Sequence, residues 1–263
     1  MSFYERPLYA KDYRLAAENK CSKFSSNLAV IYLVYYAITL GVSFIFQLPI
    51  FQISTGNFGG EIEISSSWGS TLTIFYAGHF LVSFIAICKI IDNNKKPEVN
   101  DLFSGFKNYG NVLGVYLLQT IYTALWTLLF IIPGIVKTYS YAMSLYILDD
   151  NKNKSINDCI TESRNMMDGH KWELFCLDMS YIGWYILCGF TLGILTLWVE
   201  PKHQYARYTF YLKVSGKGLA LETKAKEEAN EQELEANPLE QPKEETKEYN
   251  VLDELDKKFD EIE

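Results

Sequence analysis

Histidine is scarce in this sequence, with only His79, His170 and His203 among 263 residues. The three lie far apart and none has a partner at ligand spacing, so no metal centre is expected. The five cysteines, Cys21, Cys88, Cys159, Cys176 and Cys188, are odd in number, scattered and without a CxxC pair. That pattern argues against a disulfide framework and for small apolar packing residues. Also missing are a nucleotide-binding loop, an HExxH pair and a GxSxG elbow, so neither an enzyme nor a cofactor is expected. Basic residues are outnumbered, 24 to 32, which leaves no charge excess for nucleic acid.

What the sequence does have is segregation. Mean hydropathy is −0.02, a value typical of a soluble protein, but the apolar residues crowd into the first 213 positions. Charge divides the same way. Lys217–Glu263 holds 16 acidic and 7 basic residues, against 16 acidic and 17 basic before it. Three regions follow: a polar N-terminal segment, 1–26; an apolar helical region, 27–213; and an acidic tail, 214–263.

Tyr9–Phe24 has the apolar spacing of a short amphipathic helix at a membrane surface. The segment is too acidic for a signal-peptide n-region and no small-residue cleavage site follows, so no removal is expected. Asn27 to about Ile50 carries no charge, and about Ser70 to Ile91 none until Lys89. At 1.5 Å per residue each is long enough for a hydrocarbon layer of about 30 Å. Tyr109–Leu148 is too long for one crossing and is broken at Pro133-Gly134, a turn dipeptide. The sequence therefore predicts a hairpin, about Tyr109–Ile132 and Ile135–Leu148; the short return arm leaves a re-entrant loop as the alternative. In the polar stretch Asp149–Lys171, Ser155 is placed to cap a helix. Leu174–Val199 is the fourth apolar block, closed by Pro201, and becomes a second hairpin if its outgoing arm runs to about Leu212. Five or six spans are both compatible with these lengths. The fold class expected is all-α: a polytopic transmembrane bundle of about six spans with two late hairpins and a disordered acidic tail.

Orientation follows from Lys and Arg in the loops. The N-terminal segment, the loop after the second span and the loop before the last block hold thirteen, from Arg6 to Lys171; the alternate loops hold only Lys137. The N-terminus is thus expected in the cytoplasm, and with six spans the C-terminus too. Within the tail, Val251, Leu252, Leu255, Phe259 and Ile262 share one helical face, either a frayed helix without a partner or a docking helix for a protein groove.

Polar groups at membrane depth are the candidate site residues. Asp178 lies four residues inside the last apolar block, with Lys171 seven residues earlier on the same face. It is expected either to hydrogen-bond a neighbouring helix or to serve as a proton or ion ligand. Lys137 and Glu200, near helix ends, are expected to snorkel. His79, beside Gly78, is expected as a helix-packing or interfacial group. Trp68 and Trp172 suit an aromatic belt, and Gly114, Gly183, Gly189 and Gly193 would let helices approach closely.

Two stretches carry a family resemblance. Trp126–Leu148 (WTLLFIIPGIVKTYSYAMSLYIL) resembles the W-x-L-L-x-I-I-P-G-I-x-K signature of an uncharacterised bacterial membrane family, domain of unknown function 975. Glu162–Trp184 (ESRNMMDGHKWELFCLDMSYIGW) is similar to a second motif of that family, at Gly169, Lys171, Trp172, Ser180 and Trp184. Thr191–Pro201 and Phe210-Tyr211 also fit, so the likeness spans about 10–213. Lys202 stands where the family usually has an aromatic residue, and Tyr181 where it often has Phe. The resemblance implies a multi-pass protein of the bacterial cytoplasmic membrane with no assigned activity, and marks Pro133, Gly134, Gly169, Lys171, Trp172, Ser180 and Trp184 as motif positions. It is also distantly similar to membrane domains attached to some glycerophosphodiester phosphodiesterases, whose catalytic domain this chain lacks. The function expected is a non-enzymatic module that organises or regulates membrane partners, its surroundings the lipid bilayer. The alternative is a small transporter or channel using intramembrane polar residues.

Overall fold

A computed structural model describes residues 8–47 and 68–219. The predicted docking helix at 251–262 and most of the first interspan loop lie outside these residues. Every regular element among the described residues is helical. In chain order they are α1 (Ala10–Ser22), α2 (Ser25–Gln47), α3 (Trp68–Asp92), a 3-10 helix (Val99–Asn108), α4 (Tyr109–Leu129), α5 (Ile131–Tyr141), α6 (Ser144–Asp150), α7 (Ile156–Met166), α8 (Lys171–Phe190) and α9 (Thr196–Val214). Among the described residues two stretches are long and apolar enough to cross a membrane, Ser25–Val42 and the continuous Val99–Leu129.

The core gathers around α9. Tyr13, Ala17 and Cys21, one turn apart on α1, are buried against α9 and α8. Tyr13 meets Phe210 edge-on at 5.8 Å. Leu28, Ile31 and Tyr32 of α2 and Ile85, Cys88 and Ile91 of α3 close the same cluster. From α6, Leu145–Leu148 are all buried, and Tyr146 lies 5.1 Å from Tyr211. A short helix buried all round can bear no charge until its end, which explains why Asp149 and Asp150 come last.

The first predicted hairpin is present as two antiparallel arms. Phe130 is extended and separates α4 from α5. Pro133 falls in the first turn of α5, where its missing N–H costs nothing. Gly134 is required for the arms to touch, because a Cβ there would lie 2.7 Å from the Thr127 Cα. The return arm does not end at Leu148 as one helix. It breaks at Ala142–Met143 and continues as α6. Ser163 of α7 fills the break: its hydroxyl accepts from the Met143 N–H at 3.2 Å and donates to the Ser140 carbonyl at 2.9 Å. Together α5 and α6 reach about 30 Å, the length the short arm lacked.

The second hairpin, α8 and α9, turns through Leu192 (φ 52) and Gly193 (φ +84). Here Pro201 lies inside α9 rather than closing the block. Gly183, Gly189 and Gly193 have no neighbour near a would-be Cβ, so they do not serve close helix approach. Gly114 does, against Ile156 of α7. Ser155 is the N-cap residue of α7, but its side chain makes no capping bond.

Candidate functional site

An antiparallel hairpin brings opposite each other residues equidistant from its turn. Asp178 is fifteen residues before Gly193 and Arg207 fourteen after it; Tyr185 and Glu200 stand eight before and seven after. The polar groups of α8 and α9 are therefore joined in a row. The Asp178 Oδ1 lies 2.9 Å from His203 Nε2, and Arg207 Nε is 3.8 Å from the same oxygen. His203 Nδ1 is 2.7 Å from the Tyr185 hydroxyl, which in turn lies 2.6 Å from Glu200 Oε2. Tyr139 of α5 also hydrogen-bonds Asp178, and Gln204 donates to Glu200 at 2.9 Å. The row is enclosed: the Asp178 and His203 side chains are only 16% and 11% exposed.

Three links join Asp178 to Glu200: the Tyr185 hydroxyl can donate to one, and each ring N–H of His203 to one more.

Lys171 does not join Asp178, although seven residues separate them on one helix. It pairs with Asp168 at 3.6 Å. Lys171, Asp168, Arg164, Asn165, Lys137 and Ser140 line a recess of about 410 Å³ between α5, α7 and α8. Lys137 also lies 4.7 Å from the centre of the Trp126 ring. The four charged candidates thus fall into two sets, Asp178 with Glu200 and Lys137 with Lys171. Tyr185 and Gln204 hold Glu200 in the row.

Motif positions serve the frame around these sets. Gly169 takes φ +79 in the turn between α7 and α8, a backbone that disfavours other residues. Trp172 is exposed and stacks on Phe175 at 5.1 Å. The Ser180 hydroxyl donates to the Leu177 carbonyl at 2.7 Å, and its own carbonyl accepts from Arg14 at 3.4 Å. Trp184 is exposed on α8. His79 is buried between Phe106 and Tyr109, packing as expected, with Nε2 3.1 Å from the Tyr109 carbonyl.

A third polar group lies where α6, α9 and α3 meet. Asp150 binds Lys89 at 2.8 Å and also pairs with Lys217 and Tyr211. Burial of its carboxyl opposes ionisation, but the bonds from Lys217, Lys89 and Tyr211 outweigh it and hold Asp150 below the usual carboxylate range. Glu173 is held down in the same way, burial being overcome by Lys213 at 2.7 Å and the Tyr13 hydroxyl at 2.6 Å.

Sequence reasoning missed His203, Tyr185, Arg207 and Arg164. The first three could have been found by folding the last block about Gly193 and reading across. Arg164 had no such signal, because its neighbours come from three separate helices.

No curated protein matches the chain, nor does any solved structure. A family match covers residues 129–218, narrower than the resemblance expected from the motifs. That segment contains every residue of the row and of the recess, and it matches the model of the family described as "Protein of unknown function (DUF975)".

Proposed function

We propose that the chain is a multi-pass membrane module without catalytic chemistry, which holds its hairpin ends in lipid and uses its polar end to organise or regulate partners. The carrying observation is what the hairpin ends expose. At their turns Leu128 is 88% and Leu192 93% exposed. Phe130, Ile131, Ile132, Phe190 and Ile194 around them are also exposed. A protein dissolved as a monomer rarely leaves such a patch bare. The two span-length stretches agree, with only 17% and 11% of their windows buried, where the core helix of a soluble protein is mostly covered. The one exception to the loop-charge asymmetry is also relieved, because Lys137 shares its recess with Arg164 and Lys171.

A second reading, proton or ion movement through the α8–α9 hairpin, draws on the continuous row from Asp178 to Glu200. The enclosure of that row favours the first reading, since a path needs access from both sides. Flux separates them. In liposomes, native protein and Asp178→Asn should both match protein-free vesicles in proton leak. An Asp178-dependent flux would replace the first reading with the second. Partition of the full chain into the membrane fraction, and its need for detergent, test the common premise.

A further inference from the structure

We infer that the recess between α5, α7 and α8 binds a phosphate ester, the headgroup of an anionic phospholipid; this rests on the membrane reading above. Three helices each contribute a cation, Lys137, Arg164 and Lys171, against one carboxylate, Asp168. Several other cations of the bundle are neutralised by protein: Lys89 by Asp149 and Asp150, Lys213 by Glu173, Lys202 by Glu18, Lys154 by Glu162. Among the described residues, neither Lys137 nor Arg164 has a carboxylate partner. Three convergent positive charges with one counter-charge call for an external anion. A planar guanidinium beside two ammonium groups suits the oxygens of a phosphate.

The surroundings select a lipid over a free ion. The next turn of α5 towards the hairpin tip exposes Ile132, Ile135 and Val136, an apolar wall on which acyl chains can lie. Trp172, exposed beside Lys171, and Trp126, under Lys137, are indoles of the kind that collect at headgroup depth. The recess therefore stands where the polar and apolar surfaces of the bundle meet. Asn165 adds an amide donor, and Ser140, whose hydroxyl donates to the Val136 carbonyl at 2.9 Å, still offers lone pairs.

The test is native mass spectrometry of the full chain in detergent with equimolar phosphatidylglycerol and phosphatidylcholine. Each cation near an anionic headgroup is worth about fivefold in affinity. Native protein should retain phosphatidylglycerol preferentially. The triple variant Lys137→Gln/Arg164→Gln/Lys171→Gln should lose that preference by at least about tenfold. The control Lys95→Gln/Lys96→Gln/Lys107→Gln, which removes equal charge elsewhere, should keep it. Arg164→Gln alone, at an exposed position, should weaken binding roughly fivefold and guards against a misfolded triple variant. Equal retention of the two lipids by native protein, or an undiminished preference in the triple variant, overturns the proposal. Stabilisation of native protein by millimolar inorganic phosphate, lost in the triple variant and without any lipid preference, would assign the recess to free phosphate and overturn the headgroup. A chain that stayed folded and monomeric without detergent would sink the membrane reading separately, and the phosphate titration would still report on the recess.

Discussion

Where α6 meets α9, Asp150 takes bonds from Lys89, Tyr211 and Lys217, and nearby Glu173 takes them from Tyr13 and Lys213. At the opposite end, residues 127–132 and 189–195 carry no charge at all. The two ends differ in who supplies the partner. At the polar end Asp150 and Glu173 are answered by side chains from other elements of the same chain. At the hairpin tips the exposed side chains have no cover among the described residues, and the membrane reading gives that role to lipid. Ion pairs open to water contribute about 0–1 kcal/mol each, so the polar end is held chiefly by the aromatic and aliphatic core beneath them. The tips have no such core; the first hairpin is held there by close contact of its arms, as at Gly134 and Thr127.

Between the two ends sits the row from Asp178 to Glu200, and breaking it should have the largest effect. Asp178→Ala leaves His203 and Arg207 facing each other without their carboxylate, and losing one partner of a buried pair costs about 3–5 kcal/mol. Thermal unfolding of the solubilised chain should fall accordingly, and less for Asp178→Asn, which retains an acceptor for His203. An unchanged midpoint in Asp178→Ala would mean that the row contributes nothing to cohesion.

The next test compares the hairpin arms with water directly. Ile182 lies half-exposed midway along α8. In a soluble protein, Asp at this site would change stability by no more than about 0.5 kcal/mol. In lipid, Asp near the middle of a span costs about 2.5–3.5 kcal/mol. Ile182→Asp should therefore sharply lower the membrane-inserted fraction, measured by carbonate extraction. Full retention in the pellet would put that face in water or against another protein.

How much of this was legible follows from the kind of interaction involved. Length and absence of charge located α2, α3 and the arms of both hairpins, because a long uncharged run leaves the helix as the simplest way to satisfy its backbone. The turn at Pro133-Gly134 was readable because proline and glycine act locally. The division of α5 from α6 was not, since its cause is Ser163, a hydroxyl arriving from another helix twenty residues away. Asp178 stood out as a charge in an apolar run, yet its partners were invisible until the turn at Gly193 fixed the register. Lys171 was read as a neighbour of Asp178 from helical spacing; an aspartate three residues earlier, Asp168, proved the nearer partner.

A smaller effect is expected where the hairpin arms touch. Gly134→Ala would place a Cβ 2.2 Å from the Thr127 hydroxyl oxygen and 2.7 Å from its Cα. Overpacking of this kind costs about 1–3 kcal/mol. Thr127→Ala removes the hydroxyl but not the backbone, so the double variant should recover only part of the lost thermal stability. Complete recovery would show that the arms are held by side-chain fit rather than by backbone approach.

The smallest effect sharpens the polar side of the comparison. Asp150 and Glu173 both have carboxyls held below their ordinary values in the folded chain. Such groups bind fewer protons when folded than when unfolded, so their stabilisation is fully present above the ordinary carboxyl range, about pH 4. It is lost as pH falls through the lowered folded values. A pH series of unfolding midpoints in detergent should therefore be flat near neutrality and decline below about pH 4. In Asp150→Asn/Glu173→Gln the midpoint should start lower and decline less steeply, because Lys89, Lys217 and Lys213 have lost their carboxylates at every pH. The hairpin tips have nothing to titrate over this range. Equal acid sensitivity in the native and double-variant proteins would move the responsible carboxylates away from Asp150 and Glu173.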